Sequence, residues 1–405
     1  KIGRATLLLF MIAVVYAALA FPQYKILAVR DLAIFGYCIF FPLTYFALAG
    51  PNQAAKFVRY FIYATCLGAV LFNFQNLTGV HLFALTETSK GLPGHHEFAH
   101  LGAGNLGGDL GAALAGLFAY MAVERKHQAV HFIALLLCFF TLAQLMDRSA
   151  FLGFAMAGGL MFVLNAGRAR VYLVVVSVVL GGLVLASSVG ELPIPGGPML
   201  HRFWIIISNG TNFQSDPDGQ FRLQRWGKTI AAWETSPVFG VGFGGPVMLD
   251  TAGEDLHGEA TTAKQRGLGA FNVGMPHNTF LVVLARTGPF GLGLVCFAWF
   301  GGILLSVKRL RQGFIDPDLL AATGILVAML STAGLNLFFE RPMLCAPFWI
   351  MLAVTYKLSE NLLTGSTRKL SSVGSGSATM SLIPSVKDHR VNERQAVGGW
   401  QARWK

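Results

Sequence analysis

The stretch AVHFIALLLCFFTLAQLM, residues 129–146, runs without a single Lys, Arg, Asp or Glu. A helix that crosses the roughly 30 Å of bilayer hydrocarbon needs about 20 mostly apolar residues, so this stretch reads as one membrane span. Only Asp147 and Arg148 separate it from a second apolar run at 149–164, and ERKH at 124–127 separates it from a third at 106–123. The same pattern recurs at 5–21, 31–49, 57–75, 171–188, 277–306, 318–338 and 343–358, which makes about ten spans. Hydrophobic residues make up 54% of the 405 and charged residues 13%, which excludes an ordinary soluble domain. The expected fold is an all-α polytopic membrane protein. The run at 277–306 is too long for one simple crossing, so it is expected to start outside the membrane or to tilt strongly.

Basic residues fall in alternate connections: Lys56 and Arg59, Arg125 and Lys126, Arg168 and Arg170, then Lys308, Arg309 and Arg311. By the positive-inside bias these connections and both termini are cytoplasmic, and segments 76–105 and 189–276 lie outside. Lys25 and Arg30 depart from the bias. Four regions follow: N-terminal spans at 1–188, a long outer loop with short helices at 189–276, C-terminal spans at 277–358, and a Ser/Gly-rich basic tail at 359–405, expected to be disordered and cytoplasmic. The net charge of +11 lies largely in short connections and the tail, which points to anionic membrane lipids as partners and to no nucleic acid. The five cysteines all sit in apolar stretches with no metal-like spacing and read as buried hydrophobes.

A loop of that length is far longer than a connection requires and is expected to carry function. Within it Leu223, Trp226, Ile230 and Trp233 recur at helical spacing, ended by Ser236-Pro237, and predict an amphipathic helix with the arginines on its polar side. Arg222, Arg225 and Lys228 lie three apart there. They suit either lipid headgroups or a phosphate clamp, since the guanidinium fork donates paired hydrogen bonds to phosphate oxygens. GVGFGG at 240–245 satisfies the letter of a dinucleotide-binding pattern but lacks its strand–turn–helix context. Its glycines are expected to allow a tight turn beside the membrane and to present amides to an anion.

His277, at the junction of loop and span, carries an imidazole suited to removing a proton from a sugar hydroxyl. Arg286 lies at membrane depth, where a charge is costly and so a functional candidate. Arg148 and Arg341, each beside an acid in a short outward connection, favour an anionic ligand on that face. His95, His96, Glu97 and His100 could bring imidazoles together, but no second ligand pair follows, and a polar outer loop is the favoured reading over a metal site.

Taken together, FRLQRWGKTIAAWETSPVFGVGFGGP and the later PHNTFLVVLARTGPFGLG resemble the O-antigen ligase and O-antigen polymerase family of bacterial membrane glycosyltransferases. The motif positions here are Arg222, Trp226, Pro237, Gly240, Gly242, His277, Asn278, Gly288 and Gly291. DRSAF around Arg148 and GAGNLGG around Asn105 are similar to two further, less specific family features. Members often have about twelve spans, which brackets the expected number at 10–12 transmembrane helices. The resemblance implies an inner-membrane enzyme with its active site facing the periplasm. It implies inverting transfer, without metal or other cofactor, of a glycan from undecaprenyl pyrophosphate to a hydroxyl acceptor. It assigns Arg222 and Arg148 to the pyrophosphate, with Arg225 and Arg286 as weaker ligands and His277 as the base; Asn105, Asn278 and Arg341 are weaker candidates.

A ligase would use lipid A–core oligosaccharide as acceptor and a polymerase a second lipid-linked repeat, and the motifs resemble ligases somewhat better. A transporter or flippase of an anionic lipid is the alternative from another class, disfavoured by the absence of duplicated halves and by the one-sided basic residues. A third alternative is a binding module within an export complex.

Overall fold

A computed structural model of the chain describes residues 2–78, 103–145, 147–164, 168–174, 217–245, 276–312, 315–336 and 342–374, with Ala166 and Val247. The chain divides into two compact units, Lys1–Leu362 and Leu363–Lys405, and the helical bundle belongs to the first. All regular structure among the described residues is helical: α1 Ile2–Tyr24, α2 Ile26–Gly36, α3 Phe40–Ala47, α4 Pro51–Thr78, α5 Ala103–Val123, α6 Gln128–Leu145, α7 Arg148–Val163, α8 Pro217–Glu234, α9 Thr279–Arg311, α10 Pro317–Ala333 and α11 Pro342–Gly374. A short 3-10 turn, Tyr37–Ile39, joins α2 to α3, so the two make one span.

Among the described residues six stretches are long and apolar enough to cross a bilayer: Ile2–Tyr24, Leu27–Ala47, Pro51–Gln75, Leu106–Val123, Gln128–Leu145 and Thr279–Arg311. The chain is an all-α polytopic membrane protein. α7 and α10 are apolar but shorter. The expected span at 171–188 is helical as far as residue 174. Its remainder, the histidines at 95–100 and the tail beyond 374 lie outside the described residues.

α5, α7 and α10 form the centre. Lipid tails are as apolar as leucine, so helices in a bilayer associate through close packing, and small residues permit it. A methyl group added at Gly111 would come within 2.7 Å of the Ala150 carbonyl oxygen, and one at Gly153 within 2.5 Å of that of Ala328. α4 and α6 pack against this centre, α1 packs on α2 and α9, and these three turn Met11, Tyr60, Leu67 and Ile133 outward, which is the inverse of a soluble surface.

At one end of the bundle, Asp318 accepts hydrogen bonds from Arg59 Nε at 3.1 Å and from Tyr120 Oη at 2.6 Å. The Arg168 amide meets the Ala122 carbonyl there at 3.0 Å. The basic connections singled out by charge bias therefore meet the same end of the bundle. Cys66 and Cys138 approach to 3.7 Å between α4 and α6, and all five cysteines are free.

The over-long span has a specific explanation. α9 is two helices meeting at Gly288, whose φ of 66° and ψ of −174° are not helical, and Pro289 follows. The Ala285 carbonyl would normally accept from residue 289, but proline has no N–H to give.

Candidate active site

The opposite end of the bundle gathers most of the residues singled out from sequence. α8 is present over the expected residues, ended at Ser236-Pro237, but its faces are not those expected of a soluble amphipathic helix. Arg225 is 3% exposed and Thr229 and Ala232 are buried, whereas Leu223 and Ile230 are 42% and 39% exposed. Arg225 and Thr229 thus face protein, while Leu223 and Ile230 face outward beside Gln224. At a membrane this is the stable arrangement, because charged groups seek the bundle and leucine loses nothing against lipid.

Arg222, on the first half of α8, donates from Nη1 to the Leu335 carbonyl at 3.0 Å, just past the end of α10. Trp226, one turn on, donates from Nε1 to the Pro276 carbonyl at 2.8 Å. That bond fixes the residue preceding His277. His277 itself has φ of 51°, a conformation that side-chain-bearing residues rarely adopt. On its other side Asn278 caps α9, its Oδ1 accepting from the Leu281 amide at 3.1 Å. A residue held in a sparsely populated conformation by bonds on both flanks has been placed at a structural cost of about 1–2 kcal/mol, which is a common signature of functional positions.

Phe221 joins the two basic groups. The Arg225 guanidinium carbon lies 4.0 Å from the Phe221 ring centre, and the ring of His277 meets Phe221 edge-on with centres 6.1 Å apart.

Asn336 draws in the third element. Its side chain donates to Ser149 Oγ at 3.4 Å, and its carbonyl accepts from Thr279 Oγ1 at 3.4 Å. Thr332 Oγ1 also donates to the Ser149 carbonyl at 3.3 Å. Ser149 follows Arg148, the first residue of α7, whose cap is Asp147: Oδ1 accepts from the Ser149 and Ala150 amides. The first turns of α7 and α9, the end of α10 and the arginine-bearing part of α8 thus converge around Leu335 and Asn336. Asn105 stands in the first turn of α5. Its side chain, and Arg341, lie outside the described residues.

Arg286 is elsewhere. It is 3% exposed, its Nη2 lies 2.8 Å from Asp31 Oδ2, and its Nη1 donates to the carbonyls of Gly242, at 3.0 Å, and Gly245. Asp31 is 1% exposed and also receives Arg30 Nη2 at 3.0 Å and the Gly244 amide at 2.7 Å. The anion met by the glycine-rich turn is therefore the chain's own carboxylate. The Val241 amide takes the Ala285 carbonyl freed by Pro289, at 2.7 Å, and the Gly242 amide takes that of Arg286 at 3.2 Å. Gly240, with φ of 71°, must be glycine: a β-carbon would lie 2.5 Å from the Ala285 oxygen. At Gly288 a β-carbon would overlap the Val238 carbonyl.

Asp31, Asn336 and Phe221 were not singled out by sequence. For Asp31 a signal existed. An acid at the edge of an apolar span, together with an arginine at membrane depth elsewhere, is a pair awaiting assignment. Asp31 also receives Arg30, one of the two basic residues that depart from the charge bias.

Residues 133–296 match the family model described as O-antigen ligase. The resemblance carried by the motifs is thus supported over the stretch that holds Arg148, Arg222, Arg225, His277, Asn278 and Arg286. No curated protein matches the chain. The O-antigen ligase match indicates a ligase- or polymerase-type membrane glycosyltransferase with lipid-linked glycan and lipid substrates. Asp31 and Asn336 fall on either side of the matched O-antigen ligase region, so a helix before it holds Arg286 and a turn after it joins the Arg222–His277 cluster.

Proposed function

We propose that the chain is an O-antigen ligase-type glycosyltransferase that moves a glycan from undecaprenyl pyrophosphate to a hydroxyl of lipid A–core oligosaccharide at the periplasmic face of the inner membrane. The observation that carries this reading is the meeting of Arg225 and His277 on Phe221, with Arg222 bonded to the Leu335 carbonyl in the Leu335–Asn336 turn that also holds the Arg148 end of α7.

In the proposed reaction the acceptor oxygen attacks the anomeric carbon from the face opposite the leaving group, so configuration inverts. His277 takes the proton from that hydroxyl as the new C–O bond forms. The bond from the anomeric carbon to the pyrophosphate breaks, and its electron pair leaves with undecaprenyl pyrophosphate. Arg222 and Arg148 stabilise the negative charge that develops there, and preorganised donors aimed at developing charge lower the barrier. Arg225, stacked on Phe221, holds the positive potential of the site and keeps α8 in register. Asn278 acts through its cap, which orients His277. Arg286, engaged by Asp31 and two carbonyls, is reassigned from phosphate binding to holding the turn below the site. Asn105 and Arg341 remain further candidates for the anionic donor.

The test is transfer by purified protein from a lipid-pyrophosphate donor to lipid A–core, with chelator present and with Arg222→Ala and His277→Ala in parallel. A charge-assisted hydrogen bond is worth about 1.5–3 kcal/mol, so loss of Arg222 is expected to slow transfer about tenfold to a hundredfold. Elongation of the donor with no transfer to core would move the assignment to polymerase. Undiminished transfer in both variants would remove these residues from the reaction.

A further inference from the structure

The turn at 236–245 connects α8 towards the long loop, and an outer loop would be expected to sit in water. Its contacts reach deeper. Phe243 is fully buried and stacks on Phe35, ring centres 5.1 Å apart, with the Tyr16 ring tilted against it at 5.6 Å. Phe35 lies eight residues into the span that begins at Leu27, about 12 Å along it at 1.5 Å per residue. Tyr16, whose hydroxyl donates to the Phe239 carbonyl at 3.1 Å, lies eight residues before the end of α1, again about 12 Å. Two independent helices therefore mark the same depth.

Irregular backbone is tolerated at that depth only where protein satisfies its polar groups. Here Ser236 O accepts from the Gly240 amide, Pro237 O from Trp233 Nε1, Phe239 O from Tyr16, and Gly242 O and Gly245 O from Arg286. The amides of Val241, Gly242 and Gly244 go to Ala285, Arg286 and Asp31. What the turn leaves outside is apolar: Val238 is 60% and Phe239 68% exposed, and Phe290, just past the α9 break, is 66% exposed. Leu223 and Ile230 continue this character up α8.

We infer that 236–245 is a re-entrant turn seated in the bilayer leaflet on the side of the Arg222–His277 site, with Val238, Phe239 and Phe290 in contact with lipid acyl chains and the Asp31–Arg286 pair as its clasp. The occupant of this surface is hydrocarbon rather than a protein, because the exposed residues carry no charge and neighbour residues that face lipid on α9. The pair is buried where a lone charge would be costly, so each partner holds the other, and both hold the turn. This inference rests on the membrane reading of the chain and not on the transfer reaction.

The test is depth measurement by electron paramagnetic resonance in lipid nanodiscs. A nitroxide is placed through Phe239→Cys, Phe290→Cys or Gln224→Cys in full-length chain with the five native cysteines replaced. The labels at 239 and 290 are expected to collide several-fold more often with oxygen, which partitions into lipid, than with a water-soluble nickel chelate. The label at 224, an exposed glutamine in the first half of α8, is expected to show the reverse. Nickel accessibility at 239 equal to that at 224 would overturn the re-entrant seat, and this measurement needs no change at the clasp. Adding Asp31→Asn is expected to raise nickel accessibility at 239 while leaving 290 unchanged. An unchanged depth at 239 in that variant would overturn the clasp.

Discussion

Asp31→Asn tests the tertiary argument most directly. The substitution removes charge but keeps an oxygen that can still accept from the Gly244 amide, so the measured loss reports the ionic part of the contact. Arg286 would remain 3% exposed and keep the Gly242 and Gly245 carbonyls as acceptors for Nη1, but lose the opposite charge. Removing one member of a buried ion pair typically costs about 3–5 kcal/mol, because the remaining charge stays desolvated. At the low end of about 2–4 °C per kcal/mol, the expected fall in thermal midpoint is on the order of 5–10 °C in detergent. Arg286→Gln should lower it comparably. The double variant should lose less than the sum, since contacting residues couple by about 0.5–3 kcal/mol. Asp318→Asn is the internal comparison: the charge it would leave behind, on Arg59, is 43% exposed and stays solvated, so its loss is expected to cost less. The assay is differential scanning fluorimetry on the four variants. An Asp31→Asn midpoint no lower than that of Asp318→Asn, or strictly additive losses in the double variant, would refute the claim that this pair closes the fold below the site.

Three further outcomes are expected. Gly288→Ala forces a side chain onto a backbone with φ of 66° and against the Val238 carbonyl, and should destabilise by more than the about 1–2 kcal/mol of a left-handed conformation alone, read as a midpoint shift larger than that of Gly293→Ala, where a methyl meets nothing. Arg222→Lys should recover only part of the transfer lost in Arg222→Ala, because an ammonium keeps the charge but not the paired geometry, as initial rates will show. Treatment with copper phenanthroline should join Cys66 to Cys138, which stand 3.7 Å apart, and peptide mass spectrometry should find that bond and none between Cys38 and Cys296.

The membrane class, the order of the helices and the identity of the basic residues at the site were legible in the amino-acid sequence. Hydropathy over about 20 residues is a local property, and so is the spacing that places Arg222 and Arg225 on one side of α8. Gly288-Pro289 was visible too, although its effect, a break that frees the Ala285 carbonyl for the Val241 amide, was not. Local pattern could not decide which way α8 faces. Alternation of leucine and arginine looks the same beside water and beside lipid, and only the packing of Arg225 on Phe221 and the burial of Thr229 show that this part of the helix turns inward. Nor could it distinguish one arginine from another. Arg222 and Arg286 carry the same group and both flank the same glycine-rich motif, yet one bonds the Leu335 carbonyl and the other is held by Asp31. The reason is physical: a desolvated charge is settled by whichever opposite charge the fold brings within about 3 Å, and that partner lies on a helix far away in the chain.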